Sequence, residues 1–477
     1  MIPFGRPTGN QSAFQPMLRQ AYAAQAPVPA EADKSPIQVI GLNLLAIYLF
    51  AIFSVLTEVS TEVFGFKPYV TLVVGPLAII LSILSGHALR MLKTTIGVFT
   101  ICFLIWLLVA APFTAWKTGT FDALTDVFLR SYSITFMAAA LVVTLKDCLR
   151  IMYVVAGGGV CLYFVSRVYG IDGPDGRFII SFGALMNPND LATHLLVVLP
   201  FCLVVAATTK HSFTLRPLSI LLAFGMLLLT LRTASRAALI SLVVMSLIML
   251  LKARGRQRMM AVSGVFILVV VSVAVLPGKV WVRFATTYSD TDEDLAYGVS
   301  SRESRKAMLQ RSIEVTLTHP VLGVGPGAFI AYDADEAKKA ERRAKWAGTH
   351  NSYTQVSSEA GIPALIFFAG ALISAIASCN RIYNKAARRA DLKDLAACSL
   401  FLLVALWGLS VNLFFSHIAY RHYVPVLLGL SIGLSLVARR KLEVVPLEPA
   451  PTPETAIKRV GDRSMQFQPV ARTRNRA

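Results

Sequence analysis

Twelve apolar runs, most of them near 20 residues long, decide what this chain can fold into. Wound as α-helix, a run of that length spans the roughly 30 Å hydrocarbon core of a bilayer. The runs fall at about 37–57, 68–86, 94–112, 124–145, 150–168, 191–209, 214–231, 237–252, 260–277, 362–379, 396–416 and 421–438. Only 15% of the 477 residues are charged, whereas a soluble domain carries about a quarter. The expected fold class is all-α, a polytopic membrane protein of about twelve transmembrane helices. A large helical loop should lie outside the membrane between the ninth and tenth.

The net charge of +19 would suit a nucleic-acid partner if it formed one patch. Instead the basic residues sit in short connectors and in the tail after 440, the pattern of cytoplasmic segments facing anionic lipid. No nucleic-acid role is expected. With the N-terminus inside, the cytoplasmic connectors carry Arg90 and Lys93, then Lys146 and Arg150, then Lys210 and Arg216. The next two hold Lys252, Arg254, Arg256 and Arg258, then Arg381, Lys385, Arg388, Arg389 and Lys393. Opposing connectors are poorer: Lys67, Lys117, Arg167 with Arg177, and Arg421. Both termini are therefore expected in the cytoplasm. Residues 1–36 lack the apolar centre of a signal peptide, and they and 441–477 are expected to be disordered cytoplasmic tails. Arg130, inside the fourth run, can snorkel to the headgroups from near a helix end. The six cysteines lie in or beside apolar runs without metal-site spacing, as small buried hydrophobes.

One external turn breaks the charge rule. LRTASRAALI puts Arg232 and Arg236 outside, where arginine is costly unless paired or functional. The longest polar stretch, 278–360, is also external and opens with SDTDEDLAYG. A helix is predicted over 301–318, with Leu309, Ile313, Thr316 and Leu317 on one face. HPVLGVGPGAF ends it, ADEAKKAERRAKW forms a second polar helix, and THNSY returns the chain toward the membrane. GVGPG lacks the strand, the Lys-Ser/Thr and the βαβ context of a phosphate loop. A tight turn allowing close backbone approach fits it better. His350 stands at the membrane surface, where a base of near-neutral pKa is useful. Arg302, Arg305 and Arg311 decorate the loop helix, either as a solvated face or as a diphosphate grip. In GALMNPNDLATH, Asn189 or Asp190 would cap the sixth run, and His194 falls a turn inside it. Acidic residues and lysine are almost absent from the mid-spans, unlike the pattern of an ion-coupled transporter.

These elements resemble the O-antigen ligase and polymerase superfamily over residues 180–420. The resemblance rests on NPNDLA (187–192), TASRAAL (233–239), the run from Arg305 through HPVLGVGPGAF (319–329), and THNSYTQVSSEAGIPAL (349–365), in that order. It implies glycan transfer outside the cytoplasm without metal or cofactor, from an undecaprenyl-diphosphate-linked donor, by an inverting displacement. Carried over residue by residue, it makes His350 the general base, with Arg236 and Arg305 stabilising the diphosphate. Arg232, Arg302, Asn187, Asn189, Asn351 and Tyr353 are its substrate-binding candidates. A tryptophan common in the family four residues after the loop arginine is Leu309 here, which leaves Arg302 open as an alternative to Arg305.

Two relatives of this chemistry differ only in acceptor. A ligase would place the glycan on a lipid A–core sugar, and a polymerase would extend a lipid-linked glycan. A transporter or flippase of lipid-linked glycans would instead line a mid-membrane path with polar groups. The resemblance implies an enzyme of the bacterial inner membrane, with residues 278–360 as a periplasmic catalytic loop between helices 1–9 (37–277) and 10–12 (361–440).

Overall fold

A computed structural model describes residues 34–443, apart from 174–175, 210–211, 254, 279, 282–299 and 342–346. The expected disordered tails and SDTDEDLAYG thus lie outside the described residues or at their margins. The chain forms α1 (Pro36–Ser54), a short amphipathic α2 (Leu56–Phe64), α3 (Val70–Leu84), α4 (Thr95–Ala110), α5 (Arg130–Leu141) and α6 (Leu145–Tyr169). A small antiparallel hairpin of β1 (Gly170–Asp172) and β2 (Phe178–Ile180) follows. Next come α7 (Pro188–Thr208), α8 (Leu215–Arg232), α9 (Arg236–Lys252) and α10 (Arg256–Val275). After the extramembrane helices α11 (Ser300–Thr318) and α12 (Phe329–Lys339), the chain ends in α13 (Ser352–Ala386), α14 (Lys393–Asn412) and α15 (Tyr423–Glu443).

Each of the twelve apolar runs is helical, so the all-α membrane architecture holds. Among the described residues, eight helices are long and apolar enough to cross a membrane unaided. Of the other runs, α3 has 15 residues and an internal Pro76, and α9 has 17. The fourth run is split where a wide helical turn over Ala123–Leu129 leads into α5 at Arg130. There Arg130 pairs with Asp126 at 3.0 Å, both side chains largely exposed.

The helices begin where side chains can replace missing backbone partners. Ser35 and Gln38 form a reciprocal cap on α1 ahead of Pro36, and Thr144 with Asp147 does the same for α6. Ser235 and Asn351 cap α9 and α13. Such caps satisfy amides that would otherwise be left unpaired near lipid.

Helices α15 and α7 form the centre, 89% and 78% buried along their apolar windows, while α8 is peripheral at 28%. Helix–helix attraction in lipid depends on close contact rather than on expulsion of water. Gly429 and Gly433, one turn apart on α15, provide it: a Cβ at either would fall within 2.9 Å of α5 or the residue just after it. Polar contacts add specificity. Ser378 and Ser435 meet at 2.7 Å, and Thr193 donates to Asn412 at 3.0 Å. His194 is fully buried, with Nε2 donating to the Phe53 carbonyl at 3.1 Å and Nδ1 accepting from Tyr423 at 3.2 Å. It thus has packed polar partners rather than a cavity.

The basic connectors gather at one end of the bundle. Lys34 pairs there with Asp147, and Lys252 contacts Asn384 at 3.2 Å. NPND, TASR, α11 and THNS lie at the other end. The loop helix α11 forms as expected, but its buried side differs. Met308, Ser312 and Val315 are buried, while Ile313 and Leu317 are exposed. The reason is the partner surface: α11 docks on hydroxyls of α13, with Ser312 donating to Thr354 at 2.9 Å and Thr316 meeting Ser357 at 2.8 Å. The second polar helix stops at Lys339, and 342–346 lie outside the described residues.

Helix α13 starts ten residues before the apolar run it contains, and Gly361 kinks it at the expected loop–membrane boundary. Its φ of 79° and ψ of 175° belong to a region essentially reserved for glycine. A Cβ there would sit 2.0 Å from the Val321 carbonyl oxygen. Gly361→Ala should lower the thermal unfolding midpoint in detergent by several degrees, from a cost of at least about 2 kcal/mol. An unchanged midpoint would show that the kink is not strained.

Candidate functional site

The site is assembled first at the start of α7. Asn187, not Asn189 or Asp190, is the cap: its side chain accepts the Asn189 amide at 2.9 Å, and Pro188 supplies the preset first helical φ. Because Asn187 caps, Asn189 is available for long-range contacts. Its Oδ1 accepts from Arg177 Nη2 at 2.8 Å and from Ser235 Oγ at 2.9 Å. Arg177 is buried and also donates through Nε to the Thr233 carbonyl at 2.9 Å. Asn189 and Arg177 therefore bind NPND to the TASR turn. In the sequence Arg177 reads only as one charge in an external connector.

The two arginines of the TASR turn part company. Arg232 ion-pairs with Asp172 at 3.2 Å and stacks over Phe178 at 4.7 Å, so it anchors the hairpin. Arg236 is the first residue of α9 and is exposed. Between them Ala234 takes a left-handed φ of 50°.

His350 has a left-handed φ of 52° as well. Non-glycine residues in that region carry about 1–3 kcal/mol of strain, and such strain clusters at functional sites. The His350 ring stands edge-on to His417, with centroids 5.2 Å apart. Burial pushes its pKa down to about 4, and His417 and then Arg305 add to the effect. Arg305 of α11 is thus an electrostatic neighbour of His350. His417 keeps part of its surface open, yet the surrounding protein lowers its pKa too; Asp190 opposes that shift and Arg421 reinforces it. Arg421 and Asp190 pair at 3.6 Å. NPND, the loop helix and THNS thus meet around the two histidines.

Since folded His350 resists a proton that the unfolded chain accepts near pH 6.5, the fold loses stability as pH falls from there toward about 4.

The glycine-rich run holds this arrangement in register. Val324 and Gly325 donate backbone N–H groups to the carbonyls of Ser358 and Glu359 at 2.9 and 2.8 Å. Gly327 N–H reaches the Glu359 carboxylate at 3.0 Å, and Ile362 donates back to Pro320 at 2.8 Å. The close backbone approach expected of GVGPG is to the kink of α13. Those amides are consumed inside the protein, as a structural turn would have it. Arg311 pairs with Asp333 and Glu314, both at 2.9 Å, joining α11 to α12.

Asn351 and Tyr353 are also engaged structurally. Asn351 accepts the amides of Tyr353 and Thr354 at 2.9 and 3.1 Å. Tyr353 donates to the Ser410 carbonyl at 3.0 Å and packs against the tilted ring of Phe414, centroids 4.5 Å apart. Arg302 lies in the first turn of α11, and its side chain falls outside the described residues. Among the described residues, no three His, Cys, Asp or Glu side chains gather as a metal site would require.

Residues 218–369 match the family described as O-antigen ligase. The span runs from α8 into α13 and contains TASR, α11, the glycine-rich run and His350. Over these residues the chain is similar to the O-antigen ligase family. Members of this family are glycosyltransferase-like enzymes of polysaccharide biosynthesis. A search of curated proteins found no match. NPND lies outside the matched span, but Asn189 bonds it to TASR.

Asn189→Leu removes the acceptor shared by Arg177 and Ser235 and should cost about 1–3 kcal/mol, read as a lower unfolding midpoint. Asn189→Asp keeps an acceptor and should stay near wild type. Equal losses in the two variants would refute the clamp.

Proposed function

We propose that this protein transfers a glycan from an undecaprenyl-diphosphate carrier to an acceptor hydroxyl at the periplasmic face of the bacterial inner membrane, as an O-antigen ligase-type enzyme. The observation that carries the reading is His350: strained, half-buried and held in its neutral form beside the Arg305 cation. A neutral imidazole can accept a proton. Its basicity is weak in the protein alone, and a bound diphosphate would raise it by favouring the imidazolium. The base would therefore strengthen once the donor is in place.

The acceptor oxygen attacks the anomeric carbon as its proton passes to His350, and the bond from that carbon to the diphosphate oxygen breaks. Charge growing on the leaving diphosphate falls to Arg236 and Arg305. A single displacement inverts the anomeric configuration. The donor is already activated, so neither nucleotide nor metal is required by this scheme. The positive-inside pattern puts the basic connectors and both termini in the cytoplasm. The end bearing His350 would then face the periplasm, with 278–360 as the catalytic loop.

The test uses purified protein in liposomes with an undecaprenyl-diphosphate-linked oligosaccharide, with and without lipid A–core. Glycan on lipid A–core, only when it is supplied, is the expected product. Lengthening of the lipid-linked glycan without it would assign a polymerase instead. His350→Ala should lower kcat by roughly 10²–10⁴-fold, and Arg236→Ala or Arg305→Ala by roughly 10²–10³-fold. Wild-type rates in these variants would end the mechanism.

The acid limb of kcat/KM should lie near pH 4 rather than 6.5, because only protonation of His350 removes the base. Arg305→Gln should move the limb upward, since the cation helps to depress the histidine. A wild-type limb at 6.5 or above would contradict the assignment.

A further inference from the structure

A second recess opens at the same end of the bundle, and none of the proposed chemistry uses it. It is a groove of about 490 Å³ between α2, the start of α3 and the turn at 182–184. Its lining includes Glu58, Thr61, Glu62, Tyr69 and Thr71, with Phe182 as an apolar wall. The groove is wired to the site through charge. Glu58 feels Arg421, Arg421 pairs with Asp190 at 3.6 Å, and Asp190 acts on His417, whose ring lies 5.2 Å from that of His350.

The lining selects a class of ligand. Two cations also border the groove. Arg130 is paired with Asp126 at 3.0 Å, while Lys67 keeps its charge, 5.5 Å from one face of the Tyr69 ring. Two carboxylates thus stand against one ammonium. Glu58 accepts the Ala184 amide at 3.0 Å, which sets its position and leaves further acceptor capacity. Glu62 is exposed and makes no hydrogen bond or ion pair to the described residues. Two carboxylates outnumbering the one ammonium disfavour a phosphate or diphosphate. They are strong acceptors for hydroxyl donors, and the threonine and tyrosine hydroxyls can both donate and accept. A ring such as Tyr69, 57% exposed, offers a flat apolar face with a polar edge. A neutral saccharide has that complement: many hydroxyls around patches of C–H.

We infer that this groove is a saccharide subsite, holding sugar residues of a glycan substrate beside the transfer site and apart from the diphosphate. The inference rests on the proposed glycan transfer and extends it. It places sugar recognition on α2 and α3, outside the span matched by the family.

The test installs the photo-crosslinking residue p-benzoylphenylalanine at Thr61 or, separately, at Thr71 of the full chain in producing cells. After irradiation the protein is purified and its adducts are hydrolysed for sugar, phosphate and fatty-acid analysis. The expected adduct contains sugar. Diphosphate in the same adduct would assign it to the donor and absence of phosphate to the acceptor, and either supports the subsite. An adduct holding phospholipid without glycan sugar overturns it, as does no sugar adduct at either position in monodisperse protein. His350→Ala is run in parallel. Loss of transfer in that variant with no sugar adduct at either position would sink the groove alone. Unimpaired transfer in that variant would sink the catalytic reading, whatever the adducts contain.

Discussion

Backbone hydrogen bonds from 320–327 to the kink of α13 tie the extramembrane helices to the membrane core. Glycine at 361 turns the helix so that the carbonyls of Ser358 and Glu359 face out, and the amides of Val324 and Gly325 occupy them. These groups sit at the margin of the bilayer, where unpaired backbone is expensive. The contact therefore fixes where the chain leaves the membrane, and with it the seat of α11. Ser312 and Thr316 complete that seat against Thr354 and Ser357. The position of Arg305 relative to His350 follows from the same geometry.

Two strained residues, Ala234 and His350, lie beside the exposed Arg236 and at the histidine pair. Each strained turn is followed by a capped helix start, Ser235 for α9 and Asn351 for α13. Helix caps and packed turns make the conformation affordable and keep the side chains from relaxing. The electrostatics have a similar logic. Burial and neighbouring positive charge hold the His350 pKa below the usual imidazole range.

Sequence separated well what is local from what is not. The extent of α11 and the close-approach role of GVGPG follow from helix breakers and periodicity, while the kink at Gly361 falls on the expected loop–membrane boundary without having been expected as a kink. The buried face of α11 was misjudged because its partner presents hydroxyls rather than an apolar groove. The sequence offers Asn189 or Asp190 as the cap of α7, whereas Asn187, two or three residues earlier, holds it, since several Asn and Asp side chains in NPND have the chemistry of a cap. Arg177 was passed over because a charge in a connector looks the same whether it faces water or clamps two turns.

Length and uniform apolarity of the runs determined that the chain is a bundle of membrane helices, because a bilayer rejects unpaired backbone and charge without regard to neighbours. The order of short polar motifs carried the family resemblance. Tertiary structure alone decided which polar residues face one another. Arg232 went to the hairpin and Arg236 to the open turn; Asn351 and Tyr353 were used for support, while His350 came to stand against His417 and near Arg305. Such pairings depend on contacts between residues far apart in the chain, and no local pattern records them.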